Sequence, residues 1–508
     1  MTFKNLRTCH YVYFVTAGVL SFFTLMNYPG QGFIYIVYTI LLNALFVLGF
    51  TRDRIFFDLF IGLFLWLGFW LKLSVRVAFF GAAFQEPVGL FNGTGVAYDH
   101  VLLATSCGVA ALLCARMIRS KFLFTSLSSK KAMPHEATFR FYHRYRNMIL
   151  MCFFAFFAAV GVTNLVLGVY QRGSVPRTLL PFGLGGLYSW LLLFGMTTIS
   201  AVILDCEMRL RKNPVFVSVI GLLECFFSNI SMLSRGMILN AGALLMGMHS
   251  TDRGRPAHMN RKSKVLIVVI FGLLFIVSVF VVNHVRRLVF PASLPVSVFS
   301  IAARSSSWKP AVQVPFLTTG MVLPKAVADA ITDVRVLVID RWVGIEGVMA
   351  VSSYSGLGWD LWKRAWQEKY SHSGTSLFDE LILEQEWKGI PMHSHHFINL
   401  PGALAFFYYP GSYPFLFACM VVLGLVGAGI EFFVYKFSGA NIILCSLLAQ
   451  VVAYRYTHFG YVPGRSYLLF GSLLLNVLMI YFLEKLLRKL TNTRQRDDKL
   501  PAVVGRGQ

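Results

Sequence analysis

Long apolar stretches separated by short polar segments dominate this chain. A helix needs roughly 20 apolar residues to cross the hydrocarbon of a bilayer, and about twelve runs approach that length. They cover residues 11–26, 33–50, 55–73, 101–117, 148–169, 180–204, 214–230, 237–248, 264–282, 413–437, 440–454 and 467–487. The pattern predicts an all-α polytopic membrane protein with about 12 transmembrane helices.

Composition supports this prediction and locates the charge. Hydrophobic residues make up 56% of the chain and charged residues 14%, which is unlike a soluble globular protein. The basic residues behind the net charge of +23 collect at 52–54, 116–146, 209–212 and 253–264 and in the tail after 485. Because cytoplasmic loops are enriched in Lys and Arg, these segments and both termini are predicted to be cytoplasmic. The charge therefore indicates a lipid bilayer as partner and no nucleic acid.

The connection between the ninth and tenth runs is the only soluble-sized unit. The predicted organisation is 1–282 for nine spans, 283–412 for an outer loop, 413–487 for three spans and 488–508 for a basic cytoplasmic tail. A structureless loop of that length is improbable, so it should contain helices. Within it, WDLWKRAWQEKY places Trp359, Trp362 and Trp366 on one helix face. That face either lies in the membrane interface or packs on the spans.

Arginines recur on the predicted outer side, where the positive-inside bias disfavours them. They are Arg172, Arg177, Arg235, Arg286, Arg287, Arg304, Arg335, Arg341, Arg455 and Arg465. Several guanidinium groups from different loops suit a diphosphate, because each offers a planar fork of donors and stays charged. Any single one could instead reach lipid headgroups or form an ion pair. Arg235 interrupts two apolar runs at SRG, and Arg341 has Asp340 as a possible orienting partner.

Activation of an acceptor hydroxyl would need a base. The candidates are Glu346, Asp340 and the histidines of MHSHHFINLPG, namely His393, His395 and His396. His396 could take a proton from a hydroxyl or only hydrogen-bond its loop. The HxHH pattern lacks a nearby cysteine or spaced carboxylate, so no metal and no cofactor are predicted. Lys72 and Arg76 lie one turn apart near the outer end of the third run.

Three motifs resemble Wzy-type oligosaccharide repeat-unit polymerases, including the O-antigen and enterobacterial common antigen polymerases. The first is a late span pair broken by an arginine turn, FFSNISMLSRGMILNAGALLMG. The second is an outer loop with an Arg/Glu helix, DRWVGIEGVMAV. The third is a Pro/Gly-marked re-entry, FINLPGALAFFYYPGSYPFLFACMVVLGLVGAG. Together they span about 214–439, and the earlier runs match only in number and sidedness.

The resemblance implies a GT-C-like glycosyltransferase in the bacterial inner (cytoplasmic) membrane, active on the periplasmic face. The growing glycan would move from undecaprenyl diphosphate to a lipid-linked repeat unit, with inversion and without a metal. Its substrates would be undecaprenyl-diphosphate-linked oligosaccharides, and its partners a chain-length regulator and a flippase. Arg235 and Arg341 match motif positions and would bind diphosphate. Supporting binding residues would be Arg172, Arg287, Arg455 and Arg465, and the catalytic candidates are Glu346, His396 and Asp340.

Other functions remain open at this point. An O-antigen ligase shares the architecture and uses an outer-loop histidine, which HSHHFINLPG could supply. A flippase or transporter also commonly has about twelve spans, although the nine-to-three split differs from pseudo-symmetric halves. A non-enzymatic assembly protein would tolerate loss of the outer arginines.

Overall fold

A computed structural model describes residues 3–51, 55–84, 86–124, 135–172, 176–234, 236–252, 260–289, 336–370, 376–383 and 398–497. Within these ranges the chain is helical and contains no strand. The helices, in order, are α1 (Phe3–Asn27), α2 (Gly32–Leu48), α3 (Phe56–Phe79), α4 (Gly95–Leu123), α5 (Glu136–Leu167), α6 (Pro181–Arg209), α7 (Pro214–Ser231), α8 (Met237–Asp252), α9 (Arg261–Val289), α10 (Ile345–Ser352), α11 (Trp359–Trp366), α12 (Gly402–Phe407), α13 (Tyr413–Phe437), α14 (Ile442–Thr457) and α15 (Ser466–Asp497). The fold class is therefore all-α.

The predicted apolar runs coincide with helices. Eight helices in the described part are long and apolar enough to cross a membrane, namely α3, α4, α5, α6, α7, α9, α13 and α15. Three shorter apolar stretches are α2, α14 and Tyr11–Asn27 of α1. A multi-pass, membrane-embedded chain follows, whereas about 12 crossings and a GT-C-like arrangement stay predictions.

Local sequence signals explain where several helices begin. Helix α7 begins at Pro214, and the side chain of the preceding residue, Asn213, accepts a hydrogen bond from Val215 N. The Asn441 side chain does the same for Leu444 N at the start of α14. Such caps satisfy backbone donors that have no partner within the helix.

Helix α14 forms the centre of the bundle. Nearly all of its residues from Ile443 to Ala453 are buried, and it packs against α3, α6, α8 and α13. A helix that is apolar all round is stable only inside such a bundle. Its C-terminal end lies on the same side as α10, α11 and α12, which we call the outer end.

A glycine pair joins the outer loop to α3. The turn Trp66–Leu71 of α3 is π-helical, a local widening that often occurs at functional sites. A Cβ built on Gly344 would lie 1.8 Å from Gly68 O, and one built on Gly68 would lie 2.5 Å from Val343 O. The segment that precedes α10 therefore touches the backbone of α3 directly.

We expect Gly344→Ala to destabilise the protein by about 3 kcal/mol or more, because its methyl group would overlap backbone atoms that cannot rotate away. Thermal unfolding in detergent would measure this. Gly272→Ala in α9 is the matched control, since a Cβ there meets nothing within 4 Å. A helical Gly→Ala change of that kind should stabilise slightly. Equal melting temperatures for the two variants would contradict the packing described here.

The tryptophans of α11 pack on neighbouring helices. The ring centroids of Trp359 and Trp362 lie 4.8 Å and 5.4 Å from that of Phe415 in α13. Trp366 lies 5.9 Å from Phe406 in α12. Trp359 nevertheless keeps 51% of its surface exposed. The aromatic face is thus partly packed on the bundle, and its exposed edge is free for the membrane interface.

Acidic side chains within the bundle have partners. Asp58 lies 2.7 Å from Arg119 Nη2, and Glu431 accepts hydrogen bonds from the amides of Phe56 and Phe57 at the start of α3. Glu224 accepts one from Ser228 Oγ at 2.8 Å. Burying an acid in an apolar environment without such partners would cost several kcal/mol.

Candidate functional site

Lys72, at the outer end of α3, anchors the segment that leads into α10. Its side chain is fully buried, and its Nζ lies 2.8 Å from Glu346 Oε1. The same Nζ donates to the backbone oxygen of Trp342 at 2.6 Å. Glu346 is one of the predicted bases, but its side chain is 5% exposed and bound to a lysine. A substrate hydroxyl could reach it only by displacing this pair.

Arg76, one turn further along α3, anchors the same segment at its other end. Its Nε donates to Asp340 Oδ1 at 2.9 Å, and its Nη1 donates to the backbone oxygen of Ala83 at 2.9 Å. Asp340 is 3% exposed. The carboxylate predicted to orient Arg341 therefore binds Arg76.

These two buried ion pairs, Lys72–Glu346 and Arg76–Asp340, are called the charge clamp below. Buried pairs are stable only when further hydrogen bonds satisfy the charged groups, and the Trp342 and Ala83 carbonyls supply them. Arg341 lies between the two anchored positions. Its backbone is consequently held on both sides.

His458 follows the last residue of α14 and faces the same end of the bundle. Its Nδ1 lies 3.0 Å from the backbone oxygen of Tyr454, and its ring stacks on the Tyr454 ring with centroids 3.8 Å apart. A carbonyl can only accept a hydrogen bond, so Nδ1 carries the proton in the neutral ring. The second nitrogen, Nε2, is then the one with a free lone pair.

Three arginines act electrostatically on His458. Burial lowers the pKa of His458 to about 3, and the positive charges of Arg341, Arg172 and Arg455 contribute to that shift. We call these three residues the arginine group. They come from three separate places in the chain: the α5–α6 connection, the clamped segment before α10 and the last turn of α14. The sequence predicted each as a diphosphate ligand, and in the structure all three act on the same histidine.

The turn that carries Arg235 touches this group. The backbone amide of Arg172 donates to Met232 O at 3.0 Å, and Arg172 Nη1 lies 3.6 Å from the position of a Cβ on Gly236. Ser234 Oγ accepts from the Gly236 amide at 3.1 Å. Arg235 itself lies outside the described residues.

Arg455 has an unsatisfied donor. Its Nε is buried and has no hydrogen-bond partner in the described part of the chain. The hydroxyl of Tyr170 lies close enough to interact with it electrostatically. Leaving a buried charged donor unpaired is costly, so this atom is suited to an incoming anion.

The other predicted residues are placed differently. Arg465 is exposed and lies over the Tyr370 ring, with its Cζ 5.2 Å from the ring centroid. Arg287 belongs to α9, but its side chain is not described, and His393, His395 and His396 lie outside the described residues.

Three outer acids were not predicted from the sequence. Glu86 is exposed to solvent, and desolvation by the surrounding protein raises its pKa while Lys72 opposes that shift. Asp379 accepts from Asn399 Nδ2 at 2.7 Å, and Glu368 accepts from the amide of Val462 at 3.1 Å. Asp379 and Glu368 thus connect two outer segments to the loops that contain Asn399 and Val462, near His458.

The described residues contain no group of three or more His, Cys, Asp or Glu side chains that could hold a metal ion. The chemistry available to the arginine group is instead the binding of an anion with several charges. Guanidinium forks match phosphate oxygens, and partial burial strengthens each contact. Comparison with family models, curated proteins and solved structures found no match.

Proposed function

We propose that this protein is a membrane glycosyltransferase that polymerises lipid-linked oligosaccharides. It transfers a growing glycan from undecaprenyl diphosphate to a hydroxyl of a lipid-linked repeat unit. The observation that supports this most is that the three cations of the arginine group, which come from distant segments, all act electrostatically on His458. We place the reaction on the periplasmic face of the bacterial inner membrane, with a flippase and a chain-length regulator as partners.

The charge of the leaving group explains why arginines suit this reaction. When the bond between the anomeric carbon and the phosphate oxygen breaks, negative charge develops on the diphosphate. Donors already fixed in place stabilise that charge without rearrangement. The charge clamp fixes the backbone around Arg341, and burial fixes Arg455 Nε. The group thus provides without a metal the stabilisation that a cation gives in other diphosphate enzymes.

The position of the group suits a substrate on a lipid anchor. Arg455 and His458 lie at the end of the central apolar helix α14, and the exposed aromatic edge of α11 lies at the same end. Tryptophans concentrate at membrane–water interfaces. A prenyl chain could therefore stay in the bilayer while its diphosphate reaches the arginines.

Reconstitution tests this function. Purified protein in vesicles containing an undecaprenyl-diphosphate-linked repeat unit should give a ladder of lipid-linked products that differ by one repeat. Electrophoresis or mass spectrometry would resolve the ladder. Vesicles with heat-inactivated protein are the control.

Other outcomes would assign a different function. Transfer only to added lipopolysaccharide core, with no ladder, would identify a ligase. Movement of the lipid-linked unit between leaflets without any new glycosidic bond would identify a flippase. If the protein forms no ladder, transfers nothing to lipopolysaccharide core and moves no lipid-linked unit between leaflets, then polymerase, ligase and flippase activities are all excluded.

A further inference from the structure

Helix α11 has a row of exposed side chains that lies outside the arginine group. Trp359, Lys363 and Trp366 are four and three residues apart, so they lie along one flank of the helix. Trp359 is 51% and Trp366 is 42% exposed, and Lys363 is exposed as well. We call these three residues the α11 stripe. The face of the helix that carries Leu361 and Ala365 is buried in the bundle.

Two candidate spans fix the position of α11. At its start, the ring centroid of Trp359 lies 4.8 Å from that of Phe415, the third residue of α13. At its end, Trp366 O lies 3.7 Å from the position of a Cβ on Gly464, shortly before α15 begins at Ser466. Both α13 and α15 are long and apolar enough to cross a membrane. Helix α11 therefore joins the outer ends of two candidate spans.

A second exposed cation lies beside the end of α11. Arg465 is exposed, and its Cζ lies 5.2 Å from the ring centroid of Tyr370, four residues after Trp366. The first exposed apolar side chains of α15 follow at once, because Tyr467 is 69% and Leu468 is 54% exposed. A chain that enters hydrocarbon from the headgroup layer shows this change from a cation to exposed apolar side chains.

The charge around the stripe is positive. The exposed charged side chains of the described segments 359–370 and 463–465 are Asp360, Lys363, Arg364, Lys369 and Arg465. Four of these five are cations. Glu368 is only partly exposed, and its two carboxylate oxygens accept from the amides of Leu377 and Val462. The exposed surface therefore favours a ligand with negative charge.

We propose that the α11 stripe, together with Arg465, is a binding surface for anionic phospholipids of the outer leaflet. The two indole rings lie between acyl chains and headgroups, where tryptophan concentrates. Lys363 and Arg465 donate to the phosphate oxygens of the lipid. Aromatic and basic side chains together on an exposed part of a helix are typical of helices that lie in the membrane interface. This lipid binding does not depend on the proposed glycosyltransferase activity.

Tryptophan quenching in vesicles tests the lipid preference. Phosphatidylglycerol and phosphatidylcholine are mixed, and either one carries bromine near the top of its acyl chains, at equal mole fraction. Bromine quenches nearby indole rings, so the ratio of the two quenching constants gives the local preference for the anionic lipid. The difference between the wild type and Trp359→Phe/Trp366→Phe isolates the signal of the stripe from that of the other tryptophans.

The wild-type protein should prefer phosphatidylglycerol. Each basic side chain close to an anionic surface strengthens lipid binding about fivefold, so we expect a quenching ratio of about five or more at low salt. The ratio should fall towards one as salt screens the charges. Lys363→Gln should lower the ratio several-fold, and the additional change Arg465→Gln should bring it to about one. Quenching by phosphatidylcholine should stay, because the tryptophans keep their depth.

Arg364→Gln is the matched control, because it removes an exposed cation from the same helix. At about 100° per residue, Arg364 lies about 140° around the helix from Trp359, whereas Lys363 lies about 40° from it. Arg364→Gln should therefore keep the wild-type ratio. An equal decrease in Arg364→Gln and Lys363→Gln would mean attraction by net charge alone and would overturn the proposed surface.

Three further results would contradict the inference. A quenching ratio of about one in the wild type would show that the stripe does not select anionic lipid. Quenching of the stripe by neither lipid would place α11 away from the bilayer. Protection of the stripe tryptophans by a soluble oligosaccharide, without any lipid preference, would assign the surface to a glycan. The proposed function is measured separately by the product ladder, so either can fail without the other.

Discussion

Replacing Arg341 with alanine is expected to lower kcat for chain elongation by about 10²–10³-fold, the usual effect of removing one fixed donor to developing negative charge. The clamp anchors the backbone on both sides of Arg341, so the substitution should remove the guanidinium without displacing the segment. Single-turnover elongation in vesicles would measure the effect on the chemical step. Arg341→Lys should recover only part of the rate, because an ammonium keeps the charge but loses the planar fork.

Arg488→Ala is the control for the loss of one positive charge. Arg488 is exposed and lies 3.1 Å from the buried carboxylate of Glu484 in α15. Without Arg488 that carboxylate still accepts hydrogen bonds from the Ala137 amide and from the amide and hydroxyl of Thr138. The elongation rate of Arg488→Ala should equal that of the wild type. Elongation by Arg341→Ala at a rate within about twofold of wild type would rule out Arg341 as a ligand of the leaving group.

The sequence predicted the helices well because each is encoded locally. A run of apolar residues has one stable solution in a bilayer, a helix that satisfies its own backbone. The same argument cannot decide whether a short helix such as α2 or α14 crosses completely. That depends on how neighbouring helices and the bilayer adjust to its length.

The candidate site was only partly predictable, because its contacts join distant segments. Lys72 and Glu346 were each noted in the sequence, but their pairing depends on the outer loop folding back on α3. His458 lies in YRYTHFGYVPGRS, where the positive-inside bias makes outer arginines unusual but has no bearing on a histidine. Its spacing of three residues from Arg455, at the end of a buried helix, was the available signal. No feature of the neighbouring sequence indicates that three cationic side chains act on His458.

The second large effect concerns the charge clamp. Lys72→Met is expected to destabilise the protein by about 3–5 kcal/mol, because it leaves the buried carboxylate of Glu346 without its counter-charge. The Trp342 carbonyl also loses its donor. Chemical unfolding in detergent, followed by tryptophan fluorescence, would measure the loss.

The double variant Lys72→Met/Glu346→Met separates stability from positioning. Replacing both members of a buried pair with apolar side chains is often close to neutral, so most of the lost stability should return. Elongation should stay slow, because nothing then ties the Trp342 carbonyl next to Arg341 to α3. If the double variant recovered both its stability and the full elongation rate, the Lys72–Glu346 pair would have a role in stability and none in elongation. A double variant that loses as much stability as Lys72→Met and Glu346→Met lose together would mean that the two residues are not energetically coupled, contrary to the 2.8 Å contact between them.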